Sequence, residues 1–489
     1  MTVRRVMGTE TEYAVSAPAV SHANPVQLSF DVIGAAADPE RSRIRWDYRQ
    51  EDPVNDARGT RLERAAARPD MLTDEPQLNI VNVIAPNGGR MYVDHAHPEY
   101  SAPETTDPFE AVRYDHAGDL LMRRAAASAS AGTGHDIVLH RNNVDGKGAS
   151  WGTHENYMML RSVPFDTVAA LMTAHFVSRQ IYAGSGRVGI GERSETAGYQ
   201  LSQRADYIHA ILGLQTTFER PIVNTRDESH SPSDYRRLHV IVGDANRMDV
   251  PQTLKLGATS MLLWLAEHAD ETGYDLAALL DSMALVDPVS AMHTVSHDLT
   301  LQAELPLRDG GVTNAWIMQV RLRAAVYEMG ALVYGTDTRG EPLWPDKPTT
   351  GIMALWGQAL ADVAAIRHAD DDTRLNMQPE ASRVEWLMKW QLLERLRRRH
   401  GLSWNDPKLR AIDLGWAALD PVRSIFEKVR SRTERTVDDR QVADAAGNAP
   451  QTTRAWLRAA VVNRYASQVV AVSWSHLTVR RHDAPQTGE

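Results

Sequence analysis

Two strand-like runs, Asn79 to Ala85 and Arg90 to Asp94, flank the tetrapeptide Pro86-Asn-Gly-Gly, and no other feature restricts the fold as sharply. A Pro-Asn-Gly-Gly junction between such runs is a hairpin signal and commits the chain to an antiparallel ladder. The period of two then places Arg90, Tyr92 and Asp94 on one strand face, and Pro98 is expected to end the ladder before Glu99. Three polar side chains on one face fit either a ligand site or the solvated side of an edge strand.

Further strand-like runs are expected at Arg4 to Val15, Ile137 to His140, Asn156 to Arg161, Gln200 to His209 and Arg237 to Val242. Helical patterns fall at Pro108 to Ala127 and Phe165 to Tyr182. They then dominate at Val250 to His268, Ala315 to Val333, Thr349 to His368 and Ser382 to His400. Strands first, helices interspersed and then dominant, predict an α+β domain with a mainly antiparallel sheet covered by helices. The eight regular alternations of a TIM barrel are missing. From Ala35 to Pro76 the composition turns to Arg, Asp, Glu, Ala and Pro, which reads as a mobile charged surface loop spanning 35–78. The pattern breaks again near Gly401, so residues 1–402 are read as the main domain and 403–489 as a small C-terminal unit. Its last strand, Val469 to Val479, is expected to return to the main sheet carrying Trp474.

With 489 residues the chain can bury a large core, and 43% hydrophobic with 24% charged residues is an ordinary globular balance. No uninterrupted apolar run reaches the roughly 18 residues of a spanning helix, and Met-Thr-Val-Arg-Arg is not followed by an apolar stretch, so a cytoplasmic protein without membrane partners is expected. Zero cysteines exclude disulfides, thiolate metal sites and cysteine nucleophiles. A net charge of −10 argues against broad nucleic-acid binding.

Glu10 and Glu12, one residue apart on a strand, project two carboxylates from one face about 7 Å apart, a spacing that suits oxygen-loving cations. Asp94, Glu99 and His154 add metal-type ligands, the last after the glycine-rich Asn142-Asn-Val-Asp-Gly-Lys-Gly-Ala-Ser-Trp-Gly. Arg204, Arg226, Arg236 and Arg237 are candidate phosphate clamps. Gly184-Ser-Gly-Arg-Val-Gly matches a dinucleotide fingerprint, but it follows a helical pattern instead of a strand and is rejected. His95-Ala-His97 matches the metal pair of barrel amidohydrolases, against which the architecture speaks. The basic end Arg395-Leu-Arg-Arg-Arg-His-Gly401 reads as ordinary capping or as a landing site for an acidic polypeptide.

Gly8-Thr-Glu-Thr-Glu-Tyr, Tyr92-Val-Asp-His-Ala-His-Pro-Glu-Tyr-Ser-Ala-Pro-Glu, the Asn142 to Tyr157 segment, Gly184 to Gly191 and Arg236-Arg-Leu-His-Val-Ile-Val-Gly-Asp-Ala-Asn together resemble the Pup ligase/Pup deamidase family of the glutamine-synthetase-like superfamily. The charged insertion before Asn79 and the Asp-His-Ala-His-Pro-Glu spelling are similar to its deamidase/depupylase branch. The resemblance implies a glutamine-synthetase-like domain, bound ATP and Mg2+, and Pup and pupylated proteins as partners. It places Asp94 on the catalytic aspartate, Glu10, Tyr92 and Glu99 on magnesium ligands, and Arg90 and Trp474 on nucleotide contacts. Glu12, His154, His239, Arg204 and Arg237 fall in the same site with less defined roles. The implied reaction deamidates the C-terminal Gln of Pup and cleaves the Pup–lysine isopeptide bond, with Asp94 as nucleophile or as the base that orients water. The ATP-consuming ligase is the alternative, and a catalytically silent Pup binder the third reading.

Overall fold

The computed structural model describes residues 2–68, 71–72, 82–228 and 230–480. Its centre is a six-stranded sheet. In chain order its strands are β1 (Met7–Glu12), β3 (Asn82–Ile84), β4 (Arg90–Asp94), β5 (His97–Ser101), β6 (Thr153–Leu160) and β7 (Tyr235–Val240), while β2 (Arg45–Trp46) lies outside it. Their spatial order is β7-β6-β1-β5-β4-β3, and every pairing is antiparallel.

The Pro-Asn-Gly-Gly hairpin forms as expected: Ala85 N–H donates to the Gly89 carbonyl and Gly88 turns at φ +82°. The following tract departs from expectation. Pro98 does not stop the ladder; it sits opposite Val93 inside β5, so Arg90 to Ser101 is a second hairpin turning at His95 and Ala96. Proline is tolerated there because its carbonyl, the group it keeps, accepts from Tyr13 N–H. His95 takes the left-handed conformation at φ +52° to make this turn.

Alternation splits the sheet into two faces. Thr9, Thr11, Tyr157, Met159, Leu238, Met91, Val93 and Tyr100 point to one side and are buried. Helices cover that side: α1 (Pro108–Thr133), α2 (Phe165–Ser178) and α3 (Asp249–Thr272), with α4 (Ala315–Tyr334) and α5 (Lys347–His368) stacked behind α3. α1 starts at Asp107, whose carboxylate accepts from Phe109 and Glu110 N–H, with Pro108 in the first turn; it ends at left-handed Gly134. Its close approach to β5 requires Gly118, where a Cβ would stand 2.1 Å from the Tyr100 ring. Among the described residues α5 is the one helix long and apolar enough to cross a membrane, yet half of that apolar window is buried, packed against α3 and α4.

α6 (Glu385–His400) is capped by left-handed Gly401, whose N–H donates to the Arg397 and Arg398 carbonyls, while the Arg397 and Arg398 side chains pair with Glu394 one turn earlier. Beyond it lie α7 (Pro407–Trp416), α8 (Ile425–Val429), α9 (Asp439–Ala445), α10 (Ala455–Tyr465), β8 (Val469–Val472) and β9 (Leu477–Val479). Packing does not mark residue 403 as a boundary: Leu409, Trp416, Phe426 and Val437 join the main core, whereas Val462, Val469 and Val472 form a small cluster with Ile44, Trp46 and Ile84. The expected strand Val469 to Val479 is two strands, and β8 pairs with β2, not with the main sheet. The run Gln200 to His209 likewise divides between a strand ending at Gln200 and one beginning at Ile208. Within the charged segment 35–78, Ile44, Trp46, Val54 and Asp56 are buried, so its described part is packed and not the bare surface loop that composition implied; residues 69, 70 and 73–78 lie outside the described set.

Candidate active site

The other face of the sheet carries the polar side chains, gathered there by register. Glu10 lies opposite His154 and Ser101, Glu12 opposite Glu99, Tyr92 opposite Glu99, Asp94 opposite His97, and Asn156 opposite His239. Neighbouring strands stand about 4.8 Å apart, so directly opposed carboxylates and imidazoles come within reach of one ion. Among the described residues two groups result: Glu10, His154 and His239, and Glu12, Asp94 and Glu99. Within each, one ligand atom per residue lies within 4.8 Å of the others.

Asn156 organises the first group. Its Nδ2 donates to Glu10 Oε1 at 2.9 Å, which leaves its Oδ1 to accept from Arg237 Nη1 and His239 Nδ1, both at 3.0 Å. His239 therefore carries its proton on Nδ1 and offers the Nε2 lone pair. His154 Nδ1 lies 3.2 Å from Glu10 Oε2. Burial alone would push the Glu10 carboxyl up, but the His154 hydrogen bond and the Arg237 guanidinium hold it well below the usual range. His239 itself is driven well down by burial and by Arg237.

The second group is electrostatically unbalanced. Burial, then Asp94, Glu12 and Glu10, push Glu99 well above an ordinary carboxyl. Asp94 is also opposed by burial, yet His95, 2.9 Å away, and the charges of His97 and His154 keep it below its ordinary value and ionised. Glu12 accepts from Gly152 N–H at 2.9 Å and faces His97 Nδ1 at 3.4 Å. An all-oxygen set whose members repel one another fits a hard divalent cation such as magnesium. The Glu10 set, with two imidazoles, also suits a softer ion. Tyr92 stands beside Glu99 in the cleft, its phenol pushed far up by burial and the adjacent Glu99 and Glu10, so it is a neutral oxygen donor.

Glu10, Tyr92, Asp94, Glu99, His154 and His239 line a polar cleft of about 140 Å³ together with Arg90, Arg226, Arg237 and Trp474; Glu12 does not line it. The Arg90 guanidinium is sandwiched 4.1 Å from the Trp46 ring and 3.9 Å from the Tyr92 ring, and donates to Asn82 Oδ1. Trp474 meets Trp46 edge-on at 5.1 Å. Arg226 Nε and Nη2 and Arg237 Nε are buried without hydrogen-bond partners among the described residues, although Arg237 pairs through Nη2 with Glu228 at 3.1 Å. Arg204 is elsewhere: it does not line the cleft and spends its donors on Ser150, Trp151 and Ile241, and burial lowers its guanidinium to about 9. Arg236 also turns away, to the Arg161 carbonyl. A second, more apolar cavity of about 380 Å³ adjoins the cleft through Glu10, Ser101, His230, Arg237 and Trp474 and is walled by Val6, Met7 and Met158.

Sequence reasoning missed Tyr48, Glu51, Glu228 and His230 as cleft residues, and Asn156 as the group that ties Glu10 to His239. Asn156 was accessible to it, two residues after His154 on the same strand face. Tyr48 and Glu51 were not, because the charged segment carries no periodicity. Burial outweighs Arg90 and the Trp46 hydrogen bond at Glu51 and pushes its carboxyl up to about 7.

Known proteins supply the context. The sequence profile described as Pup-ligase protein matches residues 5–478. The Pup deamidase/depupylase of Mycolicibacterium smegmatis is 41% identical over 96% of this chain and 91% of its own, and the depupylase of Acidothermus cellulolyticus 40% over 96% and 90%. The Pup–protein ligase of Micrococcus luteus is 35% identical over 82% and 84%. Among solved structures, the ligase PafA in complex with the prokaryotic ubiquitin-like protein Pup matches with TM-score 0.75 and 26% identity, covering 98% of this chain and 86% of that one. PafA in complex with ADP matches with TM-score 0.68 and 28% identity, covering 85% and 88%. The fold is thus the glutamine-synthetase-like one expected, a mainly antiparallel sheet with helices. With a profile match across nearly its full length and relatives at 40% identity or more, the chain belongs to the Pup-ligase protein family.

Proposed function

We propose that this protein is an amidase of Pup: it deamidates a C-terminal glutamine of Pup to glutamate and cleaves the isopeptide bond between Pup and a target lysine, in the cytoplasm, with ATP and Mg2+ bound. The observation that carries the reading is the ionised Asp94, clamped by His95 at the edge of the carboxylate cluster, while Glu99 beside it is the group pushed toward neutrality. An ionised carboxylate at a cleft can attack an amide carbonyl or draw a proton from water; both routes yield the same acid and amine. The deamidase/depupylase relatives match more of the chain at higher identity than the ligase relatives, which favours the hydrolase over the ligase.

Glu12 and Glu99, with Tyr92 alongside, would hold one magnesium ion next to Asp94, and Glu10, His154 and His239 a second. Bound magnesium supplies Lewis-acid stabilisation of the oxyanion that develops on the amide. Arg226 and Arg237 offer unspent donors to phosphates, and the neighbouring apolar cavity beside Trp474 has the lining for a base. Arg90, locked between Trp46 and Tyr92, fixes the wall of the cleft on which those contacts stand. Amide hydrolysis runs downhill, so the nucleotide need not be turned over with each substrate.

The test is mass spectrometry of glutamine-ended Pup incubated with the protein, magnesium and ATP, beside Asp94→Asn. A one-dalton gain absent in the variant, with little ADP formed, supports the amidase. Conjugation of glutamate-ended Pup to a lysine protein with stoichiometric ADP would replace it by the ligase.

A further inference from the structure

On the helical side of the sheet, away from the cleft, α1, α3, α8 and α9 enclose a second polar cavity of about 380 Å³. Its cationic lining is His116, Arg123, Arg124, Arg247, Arg430 and Arg435, and its acidic lining is Asp119, Asp249, Glu427 and Asp439. Burial works against the His116 charge, but Asp119, 4.0 Å from Nδ1, and a 3.2 Å hydrogen bond from Nε2 to Asp249 outweigh it and raise the imidazole to about 9, so it is a cation at neutral pH. Two positive charges therefore remain unbalanced.

The acids are already committed. Asp249 accepts from Arg435 Nε at 2.8 Å and from Thr436 N–H at 3.0 Å, and Asp439 pairs with Arg430 at 2.9 Å. Three arginines are less well matched. Arg247 is 7% exposed; its Nε is buried without a partner, and its two terminal nitrogens make only long contacts of 3.4 Å to Asp119 and Glu427. Arg123 and Arg124, both exposed, line the same cavity from α1 without any hydrogen bond or ion pair among the described residues, so Arg247 is the buried member of the three. A buried guanidinium with an unspent donor is costly unless a ligand or water supplies the acceptor. Guanidinium forks match tetrahedral oxyanions, and an excess of two charges matches a phosphate dianion.

We propose that this cavity is a second anion site, separate from the catalytic cleft, that binds a doubly charged phosphoryl group, either free phosphate or the phosphate of a small ester. Its volume leaves room for the ester. The chain contributes every ligand: Arg247 from the floor, Arg123 and Arg124 from the rim.

The experiment uses the full-length protein with the catalytic cleft first saturated by magnesium and a non-hydrolysable ATP analogue. Orthophosphate and a sugar phosphate are then titrated separately by calorimetry, with 31P line broadening as a second readout. One anion bound per chain is expected, at least tenfold weaker in Arg123→Glu/Arg124→Glu, with Pup deamidation unchanged. The tighter of the two probes distinguishes the ester from the free anion. The neutral pair Arg123→Gln/Arg124→Gln covers the case in which charge reversal disturbs folding, and it must weaken binding in the same direction. No binding beyond the filled cleft, or binding undiminished in both variants, overturns the site.

Discussion

At the scale of single residues the site depends on which groups keep their charge. Burial opposes the Asp94 charge, and His95, set in the left-handed region by the β4–β5 turn, leads the groups that hold its carboxyl below the ordinary value. Asp94→Asn should therefore lower kcat for Pup deamidation by about 10³-fold or more with little change in Pup affinity, whereas His95→Ala should lower kcat less and displace its acid limb upward in pH; both are read from pH–rate profiles. Behind the sheet, His116 makes a stability prediction. Its folded pKa is raised to about 9, so the folded chain binds the proton more tightly than the unfolded chain. That contribution, on the order of 3 kcal/mol, is complete below pH ~6.5 and is lost as pH climbs through about 9. Wild type and His116→Asn should differ in denaturant midpoint at pH 6 and converge by pH 10; a gap that does not change with pH would contradict the ion-pair account.

Among elements, close approaches fix where side chains stand. A Cβ on Gly152 would lie 2.1 Å from His154 Nε2 and 2.8 Å from Glu12 Oε1, and these are movable side-chain ends, not backbone. Gly152→Ala should fold but raise the magnesium needed for half-maximal activity by roughly 10–100-fold, the usual result of displacing ligands. Gly118→Ala should do the opposite. It wedges α1 off the Tyr100 ring and costs about 1–3 kcal/mol of stability while KM for nucleotide stays put. The contrast shows what a sequence can carry. Strand parity alone put Glu10 with Glu12 and Arg90, Tyr92 and Asp94 on common faces, and the structure keeps them there. Which strands are neighbours is set by long-range pairing, so nothing local revealed that Glu12 would stand opposite Glu99 or that Asn156 would tie Glu10 to His239. Arg204 misled for a related reason: an arginine beside a motif looks alike whether it faces a ligand or three of its own chain's acceptors.

For the whole molecule, the cleft is closed by joining distant parts of the chain. β2, from the charged segment, pairs with β8 near the C-terminal end, bringing Trp46 against Trp474 and over Arg90. Composition made that segment look unpackable because its few anchors, Ile44, Trp46 and Val54, are diluted among charges. What fastens the β8–β9 turn to the sheet is Arg458 on α10. It pairs with Glu104, donates from Nε to the Gly88 carbonyl at 2.8 Å and from Nη1 to the Trp474 carbonyl at 2.8 Å. Burial would raise the Glu104 carboxyl, but Arg458 and then Arg454 hold it down to about 2. Arg458→Met should cost about 3–5 kcal/mol, because Glu104 is left buried with only the half-exposed Arg454. Adding Glu104→Gln removes that stranded charge and should restore much of the stability. It should not restore the hold on Trp474, so nucleotide KM stays raised in the double variant although the melting temperature recovers. If nucleotide affinity returned together with stability, Arg458 would be a fold residue only, and the position of Trp474 would owe nothing to it.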